Sequence, residues 1–330
     1  NYGENLIFLI SQPRAGSTML QRILGGHPEI YMTSEPWVML NPLLVLKEDG
    51  VKADIDPYND RFQQLLGTLK LVNSEDPKSI YHEAVRNAYD SIYNQLRKKQ
   101  NSKYFLDKTP RYYYIIPELL HTFPKAKFII LLRNPLAVLS SMINSWAQGN
   151  PFWFSNSGRK HDLVSAPEML VEGIKLLGDL CYVTHYEKLV LDPEDEFHRI
   201  TDFIGIEFTD SIIDYGDSEL PHWNYGDQNN VYENKQPKAD KADLWKVNLE
   251  NPKLWLLLNN YLDILEPGVV EKMGYSYEEN KKFLLEHKPK TTLTFSLPLS
   301  FLLKTDSEKT LIERIFTRFI KKRKFYRLDG

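Results

Sequence analysis

Cysteine is nearly absent: Cys181 stands alone among 330 residues. A disulfide framework within the chain is excluded, and the usage favours a reducing compartment. Long apolar runs are also missing. The nearest approach to the ~18 residues of a membrane helix is Leu293–Leu303, which is short and broken by Pro298 and by serines. Residues 1–10 enter a strand-like run with no leader pattern, so a cytoplasmic location is expected. No His-x3-His or paired-Asp cluster demands a metal, and none is expected. Internal repeats and low-complexity tracts are lacking too.

Hydrophobic residues make up 42% of the chain, enough for a full core in one large domain or two modest ones. The net charge of −3 hides a division. Residues 281–330 hold 13 Lys and Arg against 5 Asp and Glu, whereas the first 280 hold 28 against 39. The expected organisation is a main domain over 1–280 and a basic linker and helix over 281–330. Leu311, Ile312, Ile315, Phe316, Phe319 and Ile320 form an apolar stripe at helical spacing, followed by Lys321-Lys322-Arg323-Lys324. That helix, 308–322, is expected to pack on the main domain or on a twin subunit of a homodimer. Contact with an anionic membrane surface or an acidic carrier protein are other readings. No nucleic-acid module accompanies the charge, and no such partner is expected.

Short apolar runs at Leu6–Ser11, Tyr104–Asp107, Lys127–Leu132 and Leu180–Thr184 read as strands. Helical periodicity separates them, near Pro36–Leu46, Arg61–Leu71 and Ile80–Lys98. Pro252 and Pro267 frame a later helix, and Gly274-Tyr275 reads as the end of the folded domain. The pattern predicts an α/β fold of three layers, a central parallel sheet flanked by helices. Ligands of such sheets bind beyond the C-terminal strand ends. The loops at 12–17, 107–111 and 133–141 leave such ends.

Gln12-Pro13-Arg14-Ala15-Gly16-Ser17-Thr18-Met19-Leu20 joins the first strand to a helix. A glycine turn before hydroxyls at a helix start suits a phosphate, and Arg14 adds a permanent charge. The loop is P-loop-like but lacks the Gly-x4-Gly-Lys-Ser/Thr of a Walker loop. The alternative is an ordinary turn that uses Gly16 for geometry and Ser17 or Thr18 as a cap. Arg133, at a strand end, and Ser141, in the helix that follows, can converge on a second anion. Strand-end arginines also commonly pair with carboxylates. Lys108, in Asp107-Lys108-Thr109-Pro110, points into the same cleft, or is a surface lysine beside a turn.

In combination these segments resemble the sulfotransferases. Pro13–Thr18 is similar to their 5′-phosphosulfate loop, and Phe128–Ser141 to their 3′-phosphate motif. Asp107–Pro110 and Tyr186-Glu187-Lys188-Leu189, before Pro193, follow in family order. The resemblance covers residues 5 to about 278 and is nearest the tyrosylprotein-sulfotransferase-like and bacterial group. The cytosolic branch usually carries Lys where Arg14 stands. The resemblance implies 3′-phosphoadenosine-5′-phosphosulfate (PAPS) as donor and 3′,5′-adenosine bisphosphate (PAP) as product. It places Arg14, Ala15, Gly16, Ser17, Thr18 and Met19 on the phosphosulfate, Arg133 and Ser141 on the 3′-phosphate, and Tyr186 near the adenine. Lys238 or Lys241 would close over the nucleotide.

Sulfuryl transfer needs a base and cations around the moving group. Glu35, 21 residues after Arg14, is the expected base, at a spacing like that of tyrosylprotein sulfotransferases. Helix capping is the alternative, since Ser34 and Pro36 are also a helix-start signal. His161 is second choice; His27, His82 and His121 read as structural or off-motif. Lys108 and Arg14 complete the catalytic set. Trp37, Met39, Tyr112, Trp146 and Trp153 are candidates for an acceptor pocket, with a lid at Gly149-Asn150-Pro151, although aromatic clusters are more often core. No basic residue follows Glu35 until Lys47, which argues against an acidic peptide. The expected acceptor is a small-molecule hydroxyl of secondary metabolism, natural product or acyl chain, free or carrier-bound. A kinase with Asp107 as metal carboxylate, and a non-catalytic nucleotide-binding scaffold, are the competing classes.

Overall fold

Five of the six residues in the first apolar run are hydrophobic and all six are buried, so Leu6–Ser11 (β1) can only be an interior strand. It lies at the centre of a five-stranded sheet in the computed structural model, in the order β2-β3-β1-β4-β5. The others are Ile30–Thr33 (β2), Tyr104–Lys108 (β3), Lys127–Leu132 (β4) and Cys181–His185 (β5). The β1–β3, β1–β4 and β2–β3 pairs are parallel. Residues 2–33, 35–47, 60–147, 154, 157–217, 235–290, 299–304, 310 and 313 are described. The expected 308–322 helix, the 149–151 lid and Trp153 lie outside the described residues, save positions 310 and 313.

The helices in chain order are α1 (Ser17–Gly25), α2 (Leu40–Leu44), α3 (Asp60–Val72), α4 (Pro77–Lys98), α5 (Ile116–Thr122), α6 (Pro135–Met142) and α7 (Ser157–Lys160). Then follow α8 (Ala166–Leu177), α9 (Tyr186–Leu191), α10 (Pro193–Ile204), α11 (Pro252–Ile264), α12 (Pro267–Lys272), α13 (Tyr277–Glu286) and α14 (Leu299–Leu302). Their starts carry the expected signals. Asp76 accepts the Ser79 amide at α4, and Asn251 accepts the Lys253 amide at α11. Asn134 accepts the Leu136 amide, so α6 begins two residues after Arg133, with Pro135 at its first position.

Contacts divide the chain into two compact units. The first comprises the described parts of Asn1–Ser11, Gly16–Leu131 and Glu172–Pro237, and holds the sheet. Register brings its strand ends level: Leu9 pairs with Lys108, and Thr33 with Asp107. The second comprises the described parts of Gln12–Ala15, Leu132–Val171 and Lys238–Gly330. Its core is α11 against α6, α13 and α14. Trp255 donates through Nε1 to the Leu284 carbonyl at 2.7 Å, and Tyr261 through its hydroxyl to the Leu163 carbonyl at 2.7 Å. The fold therefore continues past Gly274-Tyr275, and α13 runs across position 280, because Leu284 is fully buried against α11.

Two local differences from the sequence pattern bear on function. Strand β2 has only four residues and alternates buried with half-buried, too short a run to register as a strand. The periodicity at Pro36–Leu46 yields a helix only from Leu40, because Trp37 adopts φ +53° and leaves helical space.

Candidate active site

In the first unit, the turn into α1 has the form of an anion receptor. Gly16 sits at φ +101°, and a Cβ there would lie 2.4 Å from Cδ2 of Tyr186, so only glycine fits. Its carbonyl accepts the N–H groups of Met19 and Leu20. Gly16 is itself the cap: no side chain caps the helix, and its first turn holds no acidic residue. The cap role considered for Ser17 or Thr18 is thereby excluded. The first amides and the positive end of the helix dipole suit an anion instead.

Lys108 ends β3 with its side chain 0% exposed, so it is not a surface lysine. Its Nζ donates to Glu35 Oε1 at 2.9 Å and to Thr18 Oγ1 at 3.4 Å. Glu35 keeps 17% of its side chain exposed, and its Oε2 accepts from Trp37 Nε1 at 3.3 Å. The helix that Glu35 was expected to precede starts five residues later, so the carboxylate is not spent on a helix dipole.

Beneath this pair lies Asp107, 1% exposed. Its Oδ1 accepts from the Thr109 hydroxyl at 2.9 Å. Its Oδ2 accepts from the Tyr93 hydroxyl at 2.6 Å and the Tyr112 hydroxyl at 2.9 Å. Burial pushes the carboxyl up to about 6, against the opposing pull of those three donors and the charge of Lys108.

Of the pocket candidates, Met39 and Tyr112 are fully buried, and Tyr112 packs edge-on to Phe8 at 6.0 Å, so both are interior. Trp37 is part-exposed, with the Arg111 guanidinium 5.7 Å from its ring centre. Tyr186 is buried against Gly16 at the start of α9. His27 bonds the Glu207 carbonyl at 2.9 Å, and His82 bonds Thr122 at 2.9 Å while stacking on His121. These rings are occupied in packing.

The second unit gathers cationic groups. Ala15 N–H donates to the Gln12 carbonyl at 3.2 Å, and Arg14 takes φ +70°. Proline second and a positive φ third are marks of a type II turn, a strained choice for arginine. Arg14 donates through Nε to Ser141 Oγ at 3.2 Å and through Nη2 to Ser145 Oγ at 3.0 Å. Arg133 donates through Nη1 to the Arg14 carbonyl at 3.0 Å and through Nη2 to the Lys241 carbonyl at 3.4 Å. Arg14, Arg133 and Ser141 thus come together. Ser145 was not foreseen; four residues after Ser141, it is carried there by a π-helical segment, Ile143–Ala147. Trp146, on the same segment, has the Arg14 guanidinium 5.6 Å and the Arg159 guanidinium 5.1 Å from its ring centre. Lys238 and His161 are exposed.

The Sulfotransferase family model matches residues 6–210, and the chain belongs to that family. It is 29% identical over 295 residues to nodulation protein NoeE of Sinorhizobium fredii, covering 82% of this chain and 66% of that one. It is 26% identical over 215 residues to protein-tyrosine sulfotransferase A of Caenorhabditis elegans, covering 64% of this chain and 53% of that one. The chain therefore spans about half to two thirds of these curated relatives. The sulfotransferase domain from the curacin biosynthetic pathway aligns with a TM-score of 0.52 at 16% identity, covering 82% of this chain and 97% of that domain. The likeness is one of fold.

Proposed function

We propose that this protein transfers a sulfuryl group from PAPS to a hydroxyl of a small-molecule acceptor, natural product or acyl chain, free or carrier-bound. One observation carries the reading: a fully buried Lys108 amine bonded at once to Glu35 and to Thr18 of the uncapped α1 terminus. A base and a cation stand together beside an anion receptor.

The donor supplies a sulfuryl group bonded through oxygen to a leaving phosphate. Glu35 takes the proton of the acceptor hydroxyl. The acceptor O–S bond forms as the bond from sulfur to the phosphate oxygen breaks, and PAP leaves. Lys108 donates to the oxygen that gains charge. Ser17, Thr18 and the α1 amides, with Arg14, hold the phosphosulfate oxygens, and the flanking Ala15 and Met19 shape the loop. Arg133 and Ser141 hold the 3′-phosphate, and Tyr186 borders the adenine. Lys241 is favoured over Lys238 for closing on the nucleotide, because its carbonyl accepts from Arg133. Of the acceptor-pocket candidates beside Glu35, Trp37 keeps surface to offer an apolar acceptor.

The kinase reading is weaker. Its metal carboxylate would be Asp107, whose two oxygens already take three hydroxyl donors out of solvent. The test is calorimetric binding of PAP against ADP, without and with Mg²⁺, followed by transfer from labelled PAPS to panels of alcohols and of acidic tyrosine peptides. Binding of PAP without metal and sulfation of alcohols are expected. Preference for ADP with Mg²⁺ would move the chain to the kinases, and robust peptide sulfation would overturn the acceptor class.

A further inference from the structure

Glu35 sits on a segment with no regular structure, yet a base must be held still. The hydrogen bonds that hold this segment lead back to one buried group. The Trp37 amide donates to Thr109 Oγ1 at 3.4 Å, and the Met39 amide donates to the Tyr112 hydroxyl at 2.9 Å. Each hydroxyl has a single proton, and each spends it on Asp107. Only because the proton goes inward does the oxygen present lone pairs outward to the amide.

We propose that Asp107 is a positioning residue for the base: its carboxylate orients the Thr109 and Tyr112 hydroxyls as acceptors for the Trp37 and Met39 amides, clamping the chain that carries Glu35. This rests on the functional reading above for its consequence in catalysis, though not for the clamp itself. The clamp explains how Trp37 keeps a left-handed φ of +53°, a conformation that persists only when its surroundings over-determine it. That conformation in turn sends the indole N–H to Glu35 Oε2. Asp107 also precedes Lys108 in β3, so one strand end fixes the base through its chain and through its carboxylate.

The fourth group at Asp107 supplies the control. Tyr93 donates to the same Oδ2 as Tyr112 but comes from α4 and relays to no amide of the Glu35 segment. Tyr93→Phe and Tyr112→Phe therefore remove equivalent bonds from one carboxylate, and only the second cuts a relay.

The experiment compares Asp107→Asn, Tyr112→Phe and Tyr93→Phe with the native chain by hydrogen exchange and by steady-state kinetics. Exchange at the Met39 amide is expected to rise about tenfold in Tyr112→Phe and in Asp107→Asn, and to stay native in Tyr93→Phe. In Asp107→Asn, kcat should fall about 10- to 100-fold, the scale of a misplaced catalytic group. PAP affinity and acceptor KM should change less than about threefold. Tyr93→Phe should keep native kcat while losing stability. Equal exchange at Met39 in the two Tyr→Phe variants would overturn the clamp, whatever reaction the protein performs. Native kcat in Asp107→Asn with fast exchange would overturn the link to the base. A native chain that neither binds PAP nor moves sulfate would refute the functional reading instead, and exchange would still decide the clamp.

Discussion

Gly16→Ala tests whether the loop before α1 is shaped by necessity. Two costs can be worked from the structure. The new Cβ would stand 2.4 Å from Cδ2 and 2.7 Å from Cε2 of Tyr186. That ring is buried and cannot swing into solvent, so the overlap costs about 1–3 kcal/mol, as overpacking generally does. A φ of +101° costs alanine roughly another 1–2 kcal/mol. The expected destabilisation is about 2–5 kcal/mol. At ~2 °C per kcal/mol for a chain of this size, melting should fall by roughly 4–10 °C. PAP affinity should fall about tenfold or more, because the loop must move away from Tyr186. A double-mutant cycle separates the two costs. Tyr186→Ala alone costs about 3–5 kcal/mol for the lost ring. The double variant escapes the overlap but keeps the φ strain, so it should be more stable than the sum of the singles by about 1–3 kcal/mol. Thermal and urea unfolding of the four proteins, with PAP calorimetry alongside, is the assay. Additivity within about 0.5 kcal/mol, or native melting and PAP affinity in Gly16→Ala, would refute the argument.

Removing the base should separate chemistry from binding: Glu35→Ala is expected to cut kcat by about 10²–10⁴ while PAP affinity holds, read by single-turnover transfer and calorimetry. Arg133→Ala should do the reverse, weakening PAP by about 10- to 100-fold, since charge-assisted bonds to phosphate are lost. Native PAP affinity in Arg133→Ala would remove the 3′-phosphate assignment. Two buried groups give opposite pH effects. His82 is held down at about 4, chiefly by burial and then by His121, Arg86 and Lys78, with Asp76 opposing. The unfolded ring gains its proton near 6.5, so His82 costs stability as pH falls from about 6.5 to 4. Asp107 is raised to about 6, so the folded chain keeps a proton that the unfolded chain releases near 4. Its contribution to stability therefore improves over the same fall in pH. From pH 7 to pH 5, His82→Gln should lose less melting temperature than the native chain, and Asp107→Asn should lose more. Identical slopes in all three proteins would contradict the assignment.

How much of this was legible in the chain depends on where each bond partner lies. Strands β1, β3 and β4 were readable because buried parallel strands are uninterrupted apolar runs, and their register carried Lys108 and Arg133 to strand ends without further information. The convergence of Arg133 and Ser141 follows from the same logic, since Arg133 directly follows β4 and Ser141 lies on the helix behind it; that Arg14 joins them shows only in its bonds to Ser141 and from Arg133. Glu35 was placed by a spacing from Arg14 that resembles that of tyrosylprotein sulfotransferases, and its surroundings were opaque. The apolar periodicity after Pro36 argues for a helix, whereas tertiary bonds from Thr109 and Tyr112 pull the segment out of helical space. Tyr112 illustrates the ambiguity of aromatics. Its position after Lys108 suggested a pocket, yet its hydroxyl is satisfied by Asp107 and Met39 within the core. Tyr93 lies 14 residues from Asp107 on the inner face of α4, and nothing in its neighbours marks it apart from other core tyrosines. Ser145 had a signal, because a residue four after Ser141 shares its face of any helix. The general division is physical. Groups that act from the ends of regular elements are encoded by the periodicity of those elements. A base held by relayed hydroxyls is encoded only by the packing that brings the relays together.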